Sequence, residues 1–277
     1  DDQNDANVLN KMKDRFPESL RVHLDATSIR DVVHRRLLQK RDDRLPALRE
    51  LFAKHRSNLS LFAYGCENIG EDDFVEVYPM LPQHVNLILR ITSALRTRST
   101  RAQGDHHAIR GLLQMLGELF RTQRAALTEA ELGALISIDQ IYDIQGSALD
   151  VDVQNTMARI LEFCSDHHDK LAARCAKAVA LLELLASDEG GEPADAKLVA
   201  RCLYNDVREG DNEPAVRAAL ELLHEAGLLT IAGTTAAGTN GYKIQSSAGQ
   251  EWERERQDIS VPAEDLGELV MDALRTL

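Results

Sequence analysis

Four kinds of side-chain grouping along the 277 residues could do chemistry. The first is a phosphate cradle. A nucleotide site of the GxxxxGK[ST] type wraps backbone N–H groups around the phosphates and adds a lysine. The chain contains no such motif. Its nearest approaches, Gly65 to Gly70 and Gly190-Gly191, lack the lysine and a preceding strand, so they read as a loop and a linker. The second is a pair of arginines. Arg15 stands before a break at Pro17 and the segment LRVHL, and Arg110 stands near the start of a helix that follows Gly104-Asp105. A guanidinium keeps its full charge and pairs phosphate oxygens two at a time. Both are therefore candidates to meet an anion; a solvent-facing arginine is the plainer alternative. The third is Cys164, His167, His168 and Cys175. That spacing matches no common zinc pattern, and Cys175 lies about 16 Å from Cys164 by helical rise, so the expectation is no metal. The fourth, Glu71, Asp72, Asp73 and Glu76, could hold a cation but reads as a solvated loop. His106-His107 is a weaker signal still, and no Ser/His/Asp order stands out.

These residues need elements to place them. Apolar residues three and four apart predict helices over about 29–40, 45–55, 84–98, 106–124, 150–166, 169–187, 194–206 and 214–225. Leu20, Val22 and Leu24 alternate with Arg21 and His23, as in a strand. Residues 57–73 read as loop, and FVEVYPMLP as a short extended stretch broken by Pro79 and Pro82. Ile136, Ile138, Ile141 and Tyr142 are expected to anchor a connector over 128–149. LLTIAGTTAAGTNGYKIQSS reads as a β-hairpin, with strands at 228–231 and 242–244 around a Gly/Thr/Asn-rich tip. Three helices followed by a hairpin is the order of a winged helix. Helices over about 247–258, with Trp252 as a packing residue, and 263–276 close the chain. There is no internal repeat.

Hydrophobic residues make up 44% and charged residues 28%, a folding composition, and aromatics at 4% with abundant Leu, Ala, Arg and Glu favour helix. The net charge is −13, unevenly spread: residues 1–124 carry +3 and residues 125–277 carry −16. That balance argues against a nucleic-acid coat or a membrane-surface protein. No apolar run approaches 18 residues, so no transmembrane helix is expected. The acidic, polar opening DDQNDANVLN does not resemble a secretory signal. The sparse cysteines, without a CxxC pair, fit reduced thiols in a cytoplasmic protein.

Taken together, RFPESLRVHLDATSIRDVVHRRLLQK, FVEVYPMLPQHVNLILRITSALRTRSTRAQGDHHAIRGLLQMLGELF and GYKIQSSAGQEWERERQDI resemble the large P-loop AAA+ ATPase of BREX phage-defence systems, the BrxC/PglY type. The likeness spans residues 8–260 and corresponds to the part after the Walker motifs. It implies a mainly α fold, a helical AAA+ lid-like bundle followed by a winged-helix domain with a β-hairpin. The implied layout is the end of the ATPase core over 1–27, the lid over 28–126, a helical connector over 127–167, the winged helix over 168–260 and a C-terminal helix over 261–277.

The same resemblance implies the roles. Arg15, in its DRF setting, would be an arginine finger reaching the γ-phosphate of a neighbouring subunit. Arg110 would sense the nucleotide within its own subunit. ATP and Mg2+ would belong to the full-length protein and none to this fragment, which without a Walker A motif is not expected to hydrolyse ATP alone. Partners would be other BREX defence proteins, with homo-oligomers forming through the full ATPase. Direct DNA contact is disfavoured, because the presumed recognition helix EPAVRAALELLHEAG offers Arg217 against Glu213, Glu221 and Glu225. The basic residues of the first half, including Arg90, Arg96, Arg98, Arg101, Arg121 and Arg124, are a better place for an anion, or simply a solvated face. The alternative is a non-enzymatic helical plus winged-helix adaptor that binds protein or DNA.

Overall fold

A long, largely apolar helix organises the molecule. In the computed structural model, which describes residues 26–98, 105–122, 124–186, 193–235 and 238–245, KLAARCAKAVALLELLA forms the helix Lys170–Ala186. Its apolar residues are not confined to one stripe: Ala172, Cys175, Ala176, Ala178, Val179, Leu181, Leu182 and Leu185 are all buried. A helix that is apolar on most sides must be covered on most sides. The rest of the fold supplies that cover.

Before this helix, in chain order, come α1 (Ala26–Leu37), α2 (Leu45–Phe62), α3 (Glu71–Val77), α4 (Pro82–Arg98), α5 (Asp105–Thr122), α6 (Arg124–Glu129), α7 (Asp139–Gln145) and α8 (Val151–Asp166). The central helix is α9. After it come β1 (Ala194–Asp195), α10 (Ala196–Cys202), α11 (Glu213–Glu225), β2 (Leu229–Thr234) and β3 (Asn240–Ile244). Helix α9 packs against α4, α7 and α8, and also against α10, α11, β1 and β3. One hydrophobic core therefore runs from Val33 and Ile91 through Ile160 and Val179 to Leu220 and Ile244. A second cluster holds Phe52, Leu59 and Phe74 of α2 and α3 together with Leu135, Tyr204 and Val207. Among the described residues the fold is mainly helical, with one small sheet.

That sheet is antiparallel, in the order β1-β3-β2. Leu229 faces Ile244 and Ile231 faces Tyr242, and the pairing shifts between Ile231 and Gly233. Tyr242 and Ile244 turn into the core while Lys243 stays exposed, the period of two expected of a half-covered strand. Asp195 does two jobs at the sheet's end. Its Oδ1 accepts from Leu198 N at 2.8 Å and caps α10. Its Oδ2 accepts from Thr239 Oγ1 at 2.7 Å and ties down the hairpin tip.

Three sequence expectations are corrected. Helix α2 continues to Phe62, through residues read as loop. FVEVYP is not extended: Phe74–Val77 belong to helix α3. The Val-rich spelling suggests strand, but Glu71, Asp72 and Asp73 fill the first turn, where carboxylates favour the helix dipole. Phe74, Val75 and Val77 can then all be buried. The acidic group is thus a helix start, not a solvated loop, and Arg49 of α2 pairs with Glu71 and with Asp72 at 2.9 Å. Finally, 194–206 is not one helix. It opens as strand β1, and α10 ends at Cys202, because the backbone beyond it is engaged elsewhere. The LRVHL strand, the helices beyond 246 and Trp252 lie outside the described residues. No helix among the described residues is long and apolar enough to cross a membrane.

Candidate functional site

Arg15 lies outside the described residues. Arg110 sits in the second turn of α5, and its side chain also lies outside them. Cys164 and Cys175 lie on two different helices, α8 and α9, that pack against each other, so the separation of about 16 Å expected along one continuous helix is corrected. Cys164 and Cys175 are buried in the core. His167 Nδ1 lies 2.8 Å from the Phe163 carbonyl, one turn back, and its ring packs on Phe163. Among the described residues no group of three or more His, Cys, Asp or Glu could hold a metal.

What the chain does build is a junction that local patterning does not announce. Residues 133–138 form a buried strap lying between two other stretches of chain, and its backbone groups alternate between them. Toward residues 202–207, Leu135 N donates to Asn205 O at 2.7 Å, Ile138 N to Cys202 O at 3.3 Å, and Val207 N to Gly133 O at 3.0 Å. Ala134 and Asp206 form an isolated antiparallel bridge. Toward the other side, Gly133 N donates to Tyr78 Oη at 2.9 Å and Ile136 N to Pro79 O at 2.9 Å. His84 Nδ1 donates to Ile136 O at 3.2 Å. Buried backbone groups must find partners, and this strap finds them on both flanks. Gly133 opens it with φ +125°, and a Cβ there would come 3.2 Å from Val207 Cγ2, so both backbone angle and space call for glycine.

A side-chain cluster pins the strap to α9. Arg174 Nε donates to Asp139 Oδ2 at 2.9 Å. Its Nη2 donates to Leu203 O at 2.9 Å and reaches Ser137 Oγ at 3.3 Å. Ser137 Oγ donates to Asp139 Oδ1 at 2.6 Å. The Asn205 amide, oriented to satisfy both neighbours, donates to Glu209 Oε2 at 3.1 Å and accepts from Arg174 Nη2 at 3.3 Å. Burial pushes the Glu209 carboxyl up, against the pull of the Asn205 backbone N–H and of Arg174. One guanidinium thus touches α7, the strap and the loop after α10. Planar geometry lets arginine do this where lysine cannot.

The rim adds further ties. Arg201 of α10 pairs with Glu67 at 2.6 Å, and Tyr64 N donates to Arg201 O at 3.2 Å. Arg208 pairs with Asp206 at 2.7 Å and Glu131 at 2.5 Å. Hydrogen bonding from Arg208 holds the Asp206 carboxyl low despite partial burial. Beneath them Tyr204 is fully buried, its hydroxyl donating to Glu209 O at 2.7 Å. His84, stacked on Tyr64 with ring centroids 6.4 Å apart, is pushed down to about 4 because burial penalises its charged form more than Ile136 O and Asp139 favour it.

Chemically, this cluster is spent on itself. Ser137 is buried and hydrogen-bonded to a carboxylate, so it is no free nucleophile. Asp139 has its two oxygens committed to Ser137 and Arg174. The arrangement is suited to holding elements in register, not to turning over a substrate. Of the expected anchors, Ile136, Ile138 and Ile141 are buried as read, while Tyr142 is half-buried. Arg174, Asp139, Ser137 and the 202–207 partner were missed, since each looks unremarkable within its own segment.

No family model matches the chain, and no solved structure matches it either.

Proposed function

We propose that the chain is the non-catalytic lid and winged-helix portion of a large bacterial anti-phage ATPase of the BREX type, coupling ATP binding and hydrolysis to assembly and partner contacts. The observation that carries the reading is an element order. A helical bundle is followed by helix α9, strand β1, helices α10 and α11, and a two-stranded hairpin, with the sheet ordered β1-β3-β2. A winged helix has this order, and a lid bundle joined to one is what the BrxC/PglY resemblance implies. ATP and Mg2+ would bind in the full-length ATPase. Arg15 would act across a subunit interface, and Arg110 within a subunit.

The partners in this reading are other defence proteins rather than DNA. On α11, Arg217 pairs with Glu213 one turn away, while Glu221 and Glu225 are exposed. A helix so placed offers phosphates no unpaired arginine or lysine of its own, and such contacts supply most non-specific affinity.

The test uses the full-length protein. Arg15→Ala and Arg110→Ala are each expected to lower ATP turnover by at least ten-fold, with Arg15→Ala also weakening assembly. Unchanged turnover and assembly in both variants overturn the reading and leave the non-enzymatic adaptor in its place.

A further inference from the structure

We infer that the strap 133–138, pinned by Arg174, and helix α9 make the α4-to-β3 portion of the chain one transmitting body, so that a displacement of the N-terminal helices reaches the sheet without an internal hinge. Three observations carry this. First, α9 is not the property of either half: its side chains pack against α4 and α7 as well as α10, α11 and β3. Second, the strap is hydrogen-bonded on both flanks, to Tyr78, Pro79 and His84 on one and to 202–207 on the other. Sliding either flank breaks buried backbone bonds that water cannot replace. Third, Arg174 Nε and Nη2 bind Asp139, Ser137 and Leu203 O together, so rotating α9 away from α7 unpairs the enclosed Asp139 carboxylate, and moving it away from the loop after α10 unpairs the Leu203 carbonyl.

A hinge needs a stretch with few buried contacts and solvated backbone. The strap has the opposite character, and the second core cluster closes over it with Phe52, Leu59, Tyr204 and Val207. The mechanical coupling needs only these contacts. Only the source of the displacement, nucleotide-driven movement of the helices, rests on the ATPase reading.

The experiment is native-state hydrogen exchange on the full chain in increasing denaturant, without nucleotide, so its outcome does not depend on ATP chemistry. The amides of Ile91, Val179 and Leu220 report α4, α9 and α11, and those of Leu135 and Ile138 report the strap. All five are expected to merge into one exchange isotherm. In Arg174→Met the Leu135 and Ile138 amides should leave that isotherm and exchange at least ten-fold faster. If Arg174→Met does not fold, Ser137→Ala is the second variant, expected to shift the same two amides by a few-fold. Separate isotherms for Ile91 and Leu220 in the unaltered chain, a hundred-fold or more apart, overturn the single body. Strap amides unmoved in a folded Arg174→Met overturn the pin.

Discussion

Arg174 Nε and Asp139 Oδ2 lie 2.9 Å apart, with the carboxylate side chain 10% exposed and the guanidinium 26%. An ion pair this enclosed contributes less through attraction than through the cost of breaking it by halves. Arg174→Met should therefore destabilise the fold by about 3 kcal/mol, read as a lower urea midpoint. Asp139→Leu alone should act in the same direction. The double variant should lose less than the two singles together, and strict additivity would show that the pair is not coupled.

His84 should make stability depend on pH in one direction. Its folded value is about 4 against an ordinary 6.5. The unfolded chain takes up a proton below 6.5 while the folded chain refuses it until about 4. The stabilisation from this group is complete above pH 6.5 and is lost as pH falls through that window, by about 3 kcal/mol at the bottom. In His84→Asn, which keeps an N–H for the Ile136 carbonyl, this component of the slope should vanish. Equal slopes in both proteins between pH 7 and 5 would remove His84 from the account.

The sheet depends on a close approach at Gly241. A Cβ at that position would fall 2.2 Å from Pro193 Cβ and 3.3 Å from the Pro193 carbonyl carbon. Gly241 pairs with Asp195 on one side and Gly233 on the other. Gly241→Ala should force β1 outward and cost about 2 kcal/mol, with the loss visible first as faster exchange of the β1–β3 amides.

The thiols should be silent in the folded protein. Cys66, Cys164, Cys175 and Cys202 are free and buried. Burial pushes Cys66 and Cys175 up to about 12, and Cys202 further. Thiolate is the reacting form. An aromatic disulfide reagent at pH 8 should label none of them on the timescale in which it labels all after unfolding in guanidinium. Prompt labelling of any one would place it at a surface.

Much of this architecture was legible because it is written locally. The apolar spacing of α4, α8, α9 and α11 is helical, and the Gly/Thr/Asn-rich tip marks the hairpin. Helix α3 was missed because Val75, Val77 and Tyr78 carry strand propensity, while the deciding term is the carboxylates of its first turn and its burial against Phe52. The early end of α10 was missed because Leu203 to Val207 are held by the strap, a partner remote in sequence. The Arg174 cluster was illegible for the same reason. An arginine in a helix carries no mark that its acceptors are Asp139 upstream and Leu203 O downstream. The finger and sensor roles of Arg15 and Arg110, by contrast, came from resemblance to a family, and a lone arginine has no local pattern that separates sensor from surface.

The two-sided bonding of residues 133–138 also sets an order of events during synthesis. The helices through α8 leave the ribosome first, with Leu135 N and Ile138 N still lacking their acceptors at Asn205 and Cys202, and with Phe52 and Phe74 uncovered by Tyr204 and Val207. Such non-local contacts form only after the intervening chain has closed. Until residue 207 emerges, the N-terminal helices therefore lack the partners that satisfy the strap's amides and cover Phe52 and Phe74, and incompletely covered apolar surface of this kind is what makes partly synthesised chains prone to aggregate.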